Sequence, residues 1–332
     1  MDDMMNEQYA FARLDPEQIL DAVDSVGYRC DGHLFALNSY ENRVYQVGVE
    51  GGLPLIAKFY RPQRWTDEAI LEEHAFALQL AELEIPVVPP LAAVTGDTLF
   101  HHGPFRFALY ARHRGGAPDL DNPDHLTQLG RFLGRLHGVG RVRPFHYRPM
   151  LDIDRLGKEP SQYLLESGFI PVELESAYRS LTADLLLQIQ ACYDRAGPVA
   201  RIRLHGDCHP GNILWGQAGP VIVDLDDACT GPAIQDLWMF LSGNRRDMTA
   251  GLADLLDGYT RFQDFDPREL HLIEALRTLR MMHYAAWLAR RWQDPAFQLA
   301  FPWFNTSRYW DEHILSLREQ AALLQEPPLV WE

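Results

Sequence analysis

The sequence predicts a two-lobed α+β protein, and three observations carry that prediction. Period-two apolar segments crowd the first third of the chain. Helical periodicity dominates after residue 120, and the glycine- and proline-rich stretch RHRGGAPD at 112–119 lies between the two patterns. The expected division is an N-terminal lobe over 1–111, a hinge over 112–119 and a helical C-terminal lobe over 120–332. A chain of 332 residues is long enough to give each lobe its own core.

Each element has a local reason. Asp15-Pro16 opens a short helix that closes at Gly27, with Ile19, Leu20, Val23 and Val26 at helical spacing. RVYQVGV (43–49), the turn EGG and LPLIAKF (53–59) alternate as a β-hairpin. Thr66 caps a helix that carries Asp67 and Glu68 in its first turn and runs to about Glu84, before Pro86. VVPPLAAV, TLFHH and FRFALYA read as further strands around the turn TGD. Past the hinge, Asn122-Pro123 starts a helix with the stripe Leu126, Leu129, Leu133 and Leu136. Residues 171–195 put Leu174, Tyr178, Leu181, Leu185 and Cys192 on one face, and helical patterns follow near 232–243, 267–292 and 308–325. A β-island of ARIRL, NILW and VIVDL interrupts this helical half, and no internal repeat is visible.

Composition narrows the function classes. Hydrophobic residues make up 47% and charged residues 23%, the balance of an ordinary soluble globular protein. The formal net charge is −16 and no basic run exceeds a pair, which argues against nucleic-acid or anionic-membrane partners. MDDMMNEQ has no apolar core of a secretory signal, and no apolar stretch reaches the ~18 residues of a membrane span. Cys30, Cys192, Cys208 and Cys229 form no C-x-x-C pair and read as reduced thiols of a cytoplasmic protein. Cys208 is expected to be exposed, which would leave it open to a regulatory role.

The segment LHGDCHPGNILW, 204–215, concentrates the chemistry. His205, Asp207, His209 and Cys208 could be metal ligands, but a closed zinc site needs about four ligands and Pro210-Gly211 breaks the strand. A phosphoryl-transfer loop fits better. Asp207 and Asn212 stand five apart in H-G-D-x-x-x-x-N, so an aspartate can accept a hydroxyl proton while an asparagine one loop turn away holds Mg²⁺. The strand VIVD then delivers Asp224 twelve residues after Asn212, where a second magnesium ligand belongs. IAKF places Lys58 in a strand with apolar flanks, suited to the α- and β-phosphates of a nucleotide. Glu73 shares a helix face with Ile70, Ala77 and Leu80, so it needs a buried counter-charge, and Lys58 is the expected one. Glu72 points away and reads as solvated. No G-x-G-x-x-G is present; Asn38, Ser39 and Asn42 in LNSYENRVYQV are the candidates for a phosphate loop, Ser39 first among them.

LHGDCHPGNILW, VIVDLDDACTGPAIQDLW, LGRFLGRLH and LNSYENRVYQV…AKFYRPQRW together resemble the aminoglycoside phosphotransferase/choline kinase group. The resemblance spans nearly the whole chain and implies a bilobal protein-kinase-like fold with a β-rich nucleotide-binding lobe. Within the group, the loop NSYENRVYQ and the segments QDLWM and WLARRWQDPAF are most similar to a bacterial branch of cytoplasmic, ATP- and Mg²⁺-dependent serine/threonine protein kinases of stress responses. It implies Asp207 as proton acceptor, Asn212 and Asp224 on Mg²⁺, and Asp224 also in the catalytic set. Lys58 with Glu73 becomes the phosphate-binding pair, Ser39 the ATP-loop contact, and Asp236 the brace of the catalytic loop. His-Gly-Asp and Asp-Leu-Asp replace the His-Arg-Asp and Asp-Phe-Gly of ordinary protein kinases, and no A-P-E is visible, so no activation-loop switch is implied.

The expected activity is transfer of the γ-phosphoryl of ATP, with Mg²⁺, to a hydroxyl on protein serine or threonine, by a monomer. A small alcohol such as choline, homoserine or an aminoglycoside is the alternative acceptor. Trp238, Tyr284, Trp287, Trp303, Tyr309 and Trp310 could cage a choline cation, although aromatic residues at helical spacing more often build a core. A nucleotide-binding regulator without catalysis is the third reading.

Overall fold

The computed structural model describes residues 10–331. In chain order the elements are α1 (Pro16–Ser25), β1 (Cys30–Ala36), β2 (Arg43–Val49), β3 (Leu55–Phe59), α2 (Asp67–Glu82), β4 (Phe100–His102), β5 (Phe105–Ala111), α3 (Pro123–Gly140), α4 (Glu159–Glu166) and α5 (Val172–Ala196). They continue with β6 (Ile202–Leu204), β7 (Ile213–Gly216), β8 (Gly219–Ile222), β9 (Cys229–Gly231), α6 (Arg245–Tyr259), α7 (Ile273–Arg291), α8 (Pro295–Ala300) and α9 (Ser307–Leu323). The class is α+β. The chain forms two compact units, and the first runs to Pro118 and adds Phe145–Arg148 and Pro210–Ala228. Those two later segments come from the stretch that the sequence assigns to the helical lobe.

The first unit is built on an antiparallel sheet of order β1-β2-β3-β5-β4. Strand alternation sends Val47, Leu55, Ala57, Phe59 and Phe107 to one face, where Ile19 and Val23 of α1 complete the core. The first helix begins as the sequence expects: Pro16 is preset for a first turn, and the Asp15 carboxylate accepts from the Gln18 N–H. Thr66 caps α2 in the same way, through Ala69 N–H. The segment VVPPLAAV is not a strand. Pro89 and Pro90 have no N–H to give a ladder, and the segment is joined only by single bridges, Val87 to Ile222 and Pro90 to Tyr110.

In the second unit α4, α5, α7, α8 and α9 enclose a core around Tyr178, Leu185, Leu279 and Trp310. The stripe Leu126, Leu129, Leu133 and Leu136 of α3 is buried as its spacing requires. α3 and α6 meet backbone to backbone. A Cβ at Gly130 would run into the Leu255 carbonyl, and one at Gly258 into the Thr127 carbonyl. The pattern near 232–243 does not become an α-helix. It forms short 3-10 turns at Ala233–Asp236 and Trp238–Phe240, with nearly every side chain buried, so its apolar residues mark all-round burial rather than one face. The segment 267–292 opens as a 3-10 turn, Pro267–Leu272, before α7.

Candidate active site

In the first unit a cluster of charges surrounds Lys58. Period two on β3 turns Ala57 and Phe59 into the core beneath α1 and Lys58 to the opposite face, where it is 6% exposed. Its Nζ donates to Asp224 Oδ1 at 2.7 Å and lies 3.3 Å from Asp226 Oδ1. Burial alone would lower the lysine's pKa, but the two carboxylates outweigh it and hold the amine charged, well above its ordinary value. Asp224 has φ 60°, ψ 66°, a left-handed conformation that aspartate tolerates better than most residues. Its side chain is 52% exposed, whereas Asp226, two residues on, is buried.

Asp226 is committed to the protein. Arg64 binds its Oδ2 and reaches Asp227 with another nitrogen, and Asn42 Nδ2 donates to the same Oδ2 at 3.0 Å. Burial opposes ionisation of Asp226, yet Arg64, Lys58 and Arg148 hold its pKa well below the carboxylate range. Arg148 also donates to the Asp226 and Ala228 carbonyls and stacks on Trp65 at 4.0 Å. Asn42 therefore serves as a tie rather than a phosphate contact, since its Oδ1 accepts from Arg61 N at 3.0 Å as well. Ser39 stays in the loop, half-buried, and its hydroxyl donates to the Asn42 carbonyl at 3.1 Å.

Two expectations about α2 need correction. Glu73 is buried beside Ile70, Ala77 and Leu80, as their offsets predict, but it forms no ion pair with Lys58, which is held by Asp224 and Asp226. Glu73 Oε2 makes no hydrogen bond, and His74 Nε2 lies 3.9 Å away. Burial lifts this carboxyl to about 7, against the opposing charge of Lys58. Glu72 is not a solvated neighbour. Its carboxylate accepts the backbone N–H groups of His146, Tyr147 and Arg148 at 2.7, 2.7 and 2.9 Å.

Asn212 ends the 3-10 turn Pro210–Asn212, and its carbonyl accepts from Val223 N at 3.0 Å, which sets it beside the residue preceding Asp224. These two residues bring hard oxygen donors to adjacent positions of the β7–β8 hairpin. Among the described residues no group of three or more His, Cys, Asp or Glu side chains is arranged to hold a metal, so the zinc reading of 205–209 finds no such cluster.

The second unit holds Asp207. Asp236 is fully buried and accepts from His205 N at 2.7 Å and Gly206 N at 2.8 Å, which fixes the loop from below. His137 Nε2 lies 3.1 Å from the same carboxylate, and its Nδ1 lies 3.0 Å from the Tyr259 hydroxyl. Burial works against the Asp236 charge, and the hydrogen bond with His137 leads the contacts that keep its pKa lowered. Gln235 Nε2 adds a bond to the Gly206 carbonyl at 2.8 Å. Asp207 is 24% exposed; Arg280 of α7 binds its Oδ1, and His209 Nε2 is 3.5 Å from its Oδ2. Cys208 is fully buried rather than exposed, and burial pushes its thiol pKa far up, so it is no reactive sulfur. Sequence reasoning missed Arg64 and Arg280. Arg64 lies in the quoted KFYRPQRW, whereas no spacing rule connects Arg280 to a loop 73 residues away.

Residues 34–273 match a family described as the phosphotransferase enzyme family, APH. Stress response kinase A of Escherichia coli (strain K12) is 44% identical over 326 residues, 98% of each chain. A Salmonella typhimurium relative named serine/threonine protein kinase RdoA is also 44% identical, again over 98% of each chain. Among solved structures, an amicoumacin kinase complex covers 98% of each chain with a TM-score of 0.76 at 19% identity. A choline kinase from Cryptosporidium parvum covers 88% of this chain and 89% of its own with a TM-score of 0.60 at 12% identity.

Proposed function

Because the chain belongs to the phosphotransferase enzyme family, we propose that it transfers the γ-phosphoryl of ATP to a serine or threonine hydroxyl of a protein. The observation that carries the reading is the 2.7 Å bond between Lys58 and Asp224, which joins a β3 lysine to a strand-end aspartate 166 positions away. It puts a cation suited to phosphate oxygens beside a carboxylate suited to Mg²⁺, and relatives at 44–45% identity carry kinase names.

Asp207 accepts the proton of the acceptor hydroxyl. That oxygen bonds to the γ-phosphorus as the bond from phosphorus to the β,γ-bridging oxygen breaks, and ADP leaves. Lys58 is charged and moves from carboxylate to phosphate oxygens when nucleotide arrives. Glu73, buried on α2, acts on Lys58 only through its charge and favours the charged amine. Ser39 contacts the phosphates from the loop before β2. Asn212 and the half-exposed Asp224 would hold Mg²⁺, while Asp226 and Arg64 keep that loop in shape. Bound Mg²⁺ supplies charge neutralisation on the phosphate oxygens. Most of the rate enhancement then comes from positioning and charge.

A small-alcohol acceptor is the second reading, and the fold likeness to amicoumacin and choline kinases favours it. The aromatic cage for such a cation loses members, since Trp310 is fully buried and Trp238 is 6% exposed. Among the described residues no helix is long and apolar enough to cross a membrane. The test is radiolabelled ATP with Mg²⁺ offered a generic protein, choline, homoserine and an aminoglycoside panel. Label on the protein alone supports the first reading; label on a small alcohol with bare protein replaces it.

A further inference from the structure

Arg280 stands on the surface of α7 with its guanidinium on the Asp207 carboxylate. Water reaches the pair, with 45% of the arginine side chain and 24% of the aspartate side chain exposed. An ion pair so placed adds little to stability. The loop does not need it either, because Asp236 already holds His205 and Gly206 through their backbone N–H groups. The remaining N–H donors of Arg280 make no other hydrogen bond among the described residues.

The helix itself is unusual for this chain. α7 carries Arg277, Arg280, Arg290 and Arg291 against the single acid Glu274, in a protein of net charge −16. Its other arginines are engaged: Arg277 lies 5.1 Å over Trp238 and 3.3 Å from Glu274, Arg290 lies over Tyr163 and Arg291 over Trp287. Arg280 is the one aimed at Asp207.

We propose that Arg280 selects the acceptor: it binds an anionic group carried beside the reacting hydroxyl and turns away alcohols that carry an ammonium group. The inference rests on the reading of Asp207 as proton acceptor. A hydroxyl that gives its proton to Asp207 lies within hydrogen-bond reach of that carboxylate. It is therefore within a few ångströms of the guanidinium that holds it. The planar fork has donors to spare for a carboxylate or phosphate, which it meets in a bidentate geometry. An ammonium brought to the same place finds no acceptor on the guanidinium and meets its like charge, so it gains nothing there and is repelled. For a protein acceptor the anionic group is an aspartate or glutamate neighbouring the serine or threonine.

The experiment measures kcat/KM on the full chain with Mg²⁺ and ATP for matched serine peptides flanked by Glu, Gln or Lys, and for choline and aminopropanol. Wild type, Arg280→Gln, Arg280→Lys and Asp207→Asn are compared. Wild type is expected to favour the Glu over the Lys peptide by about 10- to 100-fold, the scale of one charge-assisted hydrogen bond. Both amino alcohols should fall below the Gln peptide. In Arg280→Gln the Glu/Lys ratio collapses towards one, and Arg280→Lys restores part of it. The ratio is taken within each variant, so a general loss of fold or turnover does not imitate the collapse. An unchanged ratio in Arg280→Gln overturns the inference, as does wild-type turnover of the amino alcohols at the rate of the Glu peptide, or no turnover of the Glu peptide. Retained activity in Asp207→Asn instead overturns the proton-acceptor reading beneath it. An inactive Asp207→Asn with an unchanged ratio in Arg280→Gln overturns the role of Arg280 alone.

Discussion

The surroundings of Lys58 and those of Asp207 are held in opposite ways. Around Lys58, side-chain charges hold other side-chain charges: Asp224, Asp226, Arg64 and Asp227 form a chain of ion pairs in which Lys58, Asp226 and Arg64 each have more than one partner. Beneath Asp207, a buried carboxylate grips backbone N–H groups, and a buried histidine and tyrosine lie behind it. Backbone hydrogen bonds fix a position, while ion pairs can be exchanged. The surroundings of Lys58 are built from exchangeable pairs, which suits the nucleotide site proposed there, and those of Asp207 from fixed ones, which suits the proposed proton acceptor.

The widest gap between the two regions should appear when each loses its central carboxylate. Asp207→Ala is expected to cut kcat by roughly 10²–10⁴-fold. Its melting temperature should stay near wild type, because the loop is fixed from below. Near-normal kcat in this variant would remove Asp207 from the chemistry. Asp236→Ala should do the reverse and lose about 3–5 kcal/mol of stability, since two backbone N–H groups and His137 lose their partner. Denaturant unfolding measures it, and a loss below about 1 kcal/mol would mean that the loop is not fixed by this carboxylate.

A pH series probes the exchangeable side. Glu73 titrates near 7 in the folded chain against 4.5 ordinarily, so the folded state prefers its proton. Its contribution is full below pH 4.5 and is lost as the pH rises through 7, about 3 kcal/mol in all. Glu269, buried and also lifted to about 7 by burial, erodes stability over the same window. Glu73→Gln should therefore flatten the fall in stability between pH 5 and 8 without abolishing it, as read by urea titration at both pH values. Equal slopes in variant and wild type would show that Glu73 already has a partner. The smallest effect belongs to Asn42→Ala, at about 1–2 kcal/mol of stability. It should also raise the KM for Mg²⁺-ATP several-fold, because the tie from the Ser39 loop to Asp226 is cut. An unchanged KM would leave Asn42 a purely structural residue.

What the sequence disclosed divides along the same line. The burial of Glu73 was legible from helical offsets, and the place of Lys58 in a strand with apolar flanks was legible from its neighbours, because both follow from local geometry. The partner of Lys58 was not legible. Asp224 and Asp226 compete for it from more than 160 positions away, and only the folded chain decides between them and Glu73. Glu72 was misread for a related reason: its partners are backbone N–H groups at 146–148, which no side-chain pattern announces. α6 went unseen although Asn244 and Asp247 form a capping box at its start. That signal was present and unused, whereas the expected helix near 232–243 came from apolar residues buried all round.

The glycine seam between α3 and α6 gives this architecture an unusual kind of tolerance. Where two helices touch through carbonyls, their spacing does not depend on the volume of any side chain, so neighbouring core residues can drift in size without moving the seam. His137 belongs to one of these helices and Tyr259 to the other, and the two meet across it. The distance from which the loop at 205–207 is supported is thus inherited from backbone thickness. Lineages that have exchanged more than half of their residues, as at 44% identity, can keep that distance as long as they keep the glycines.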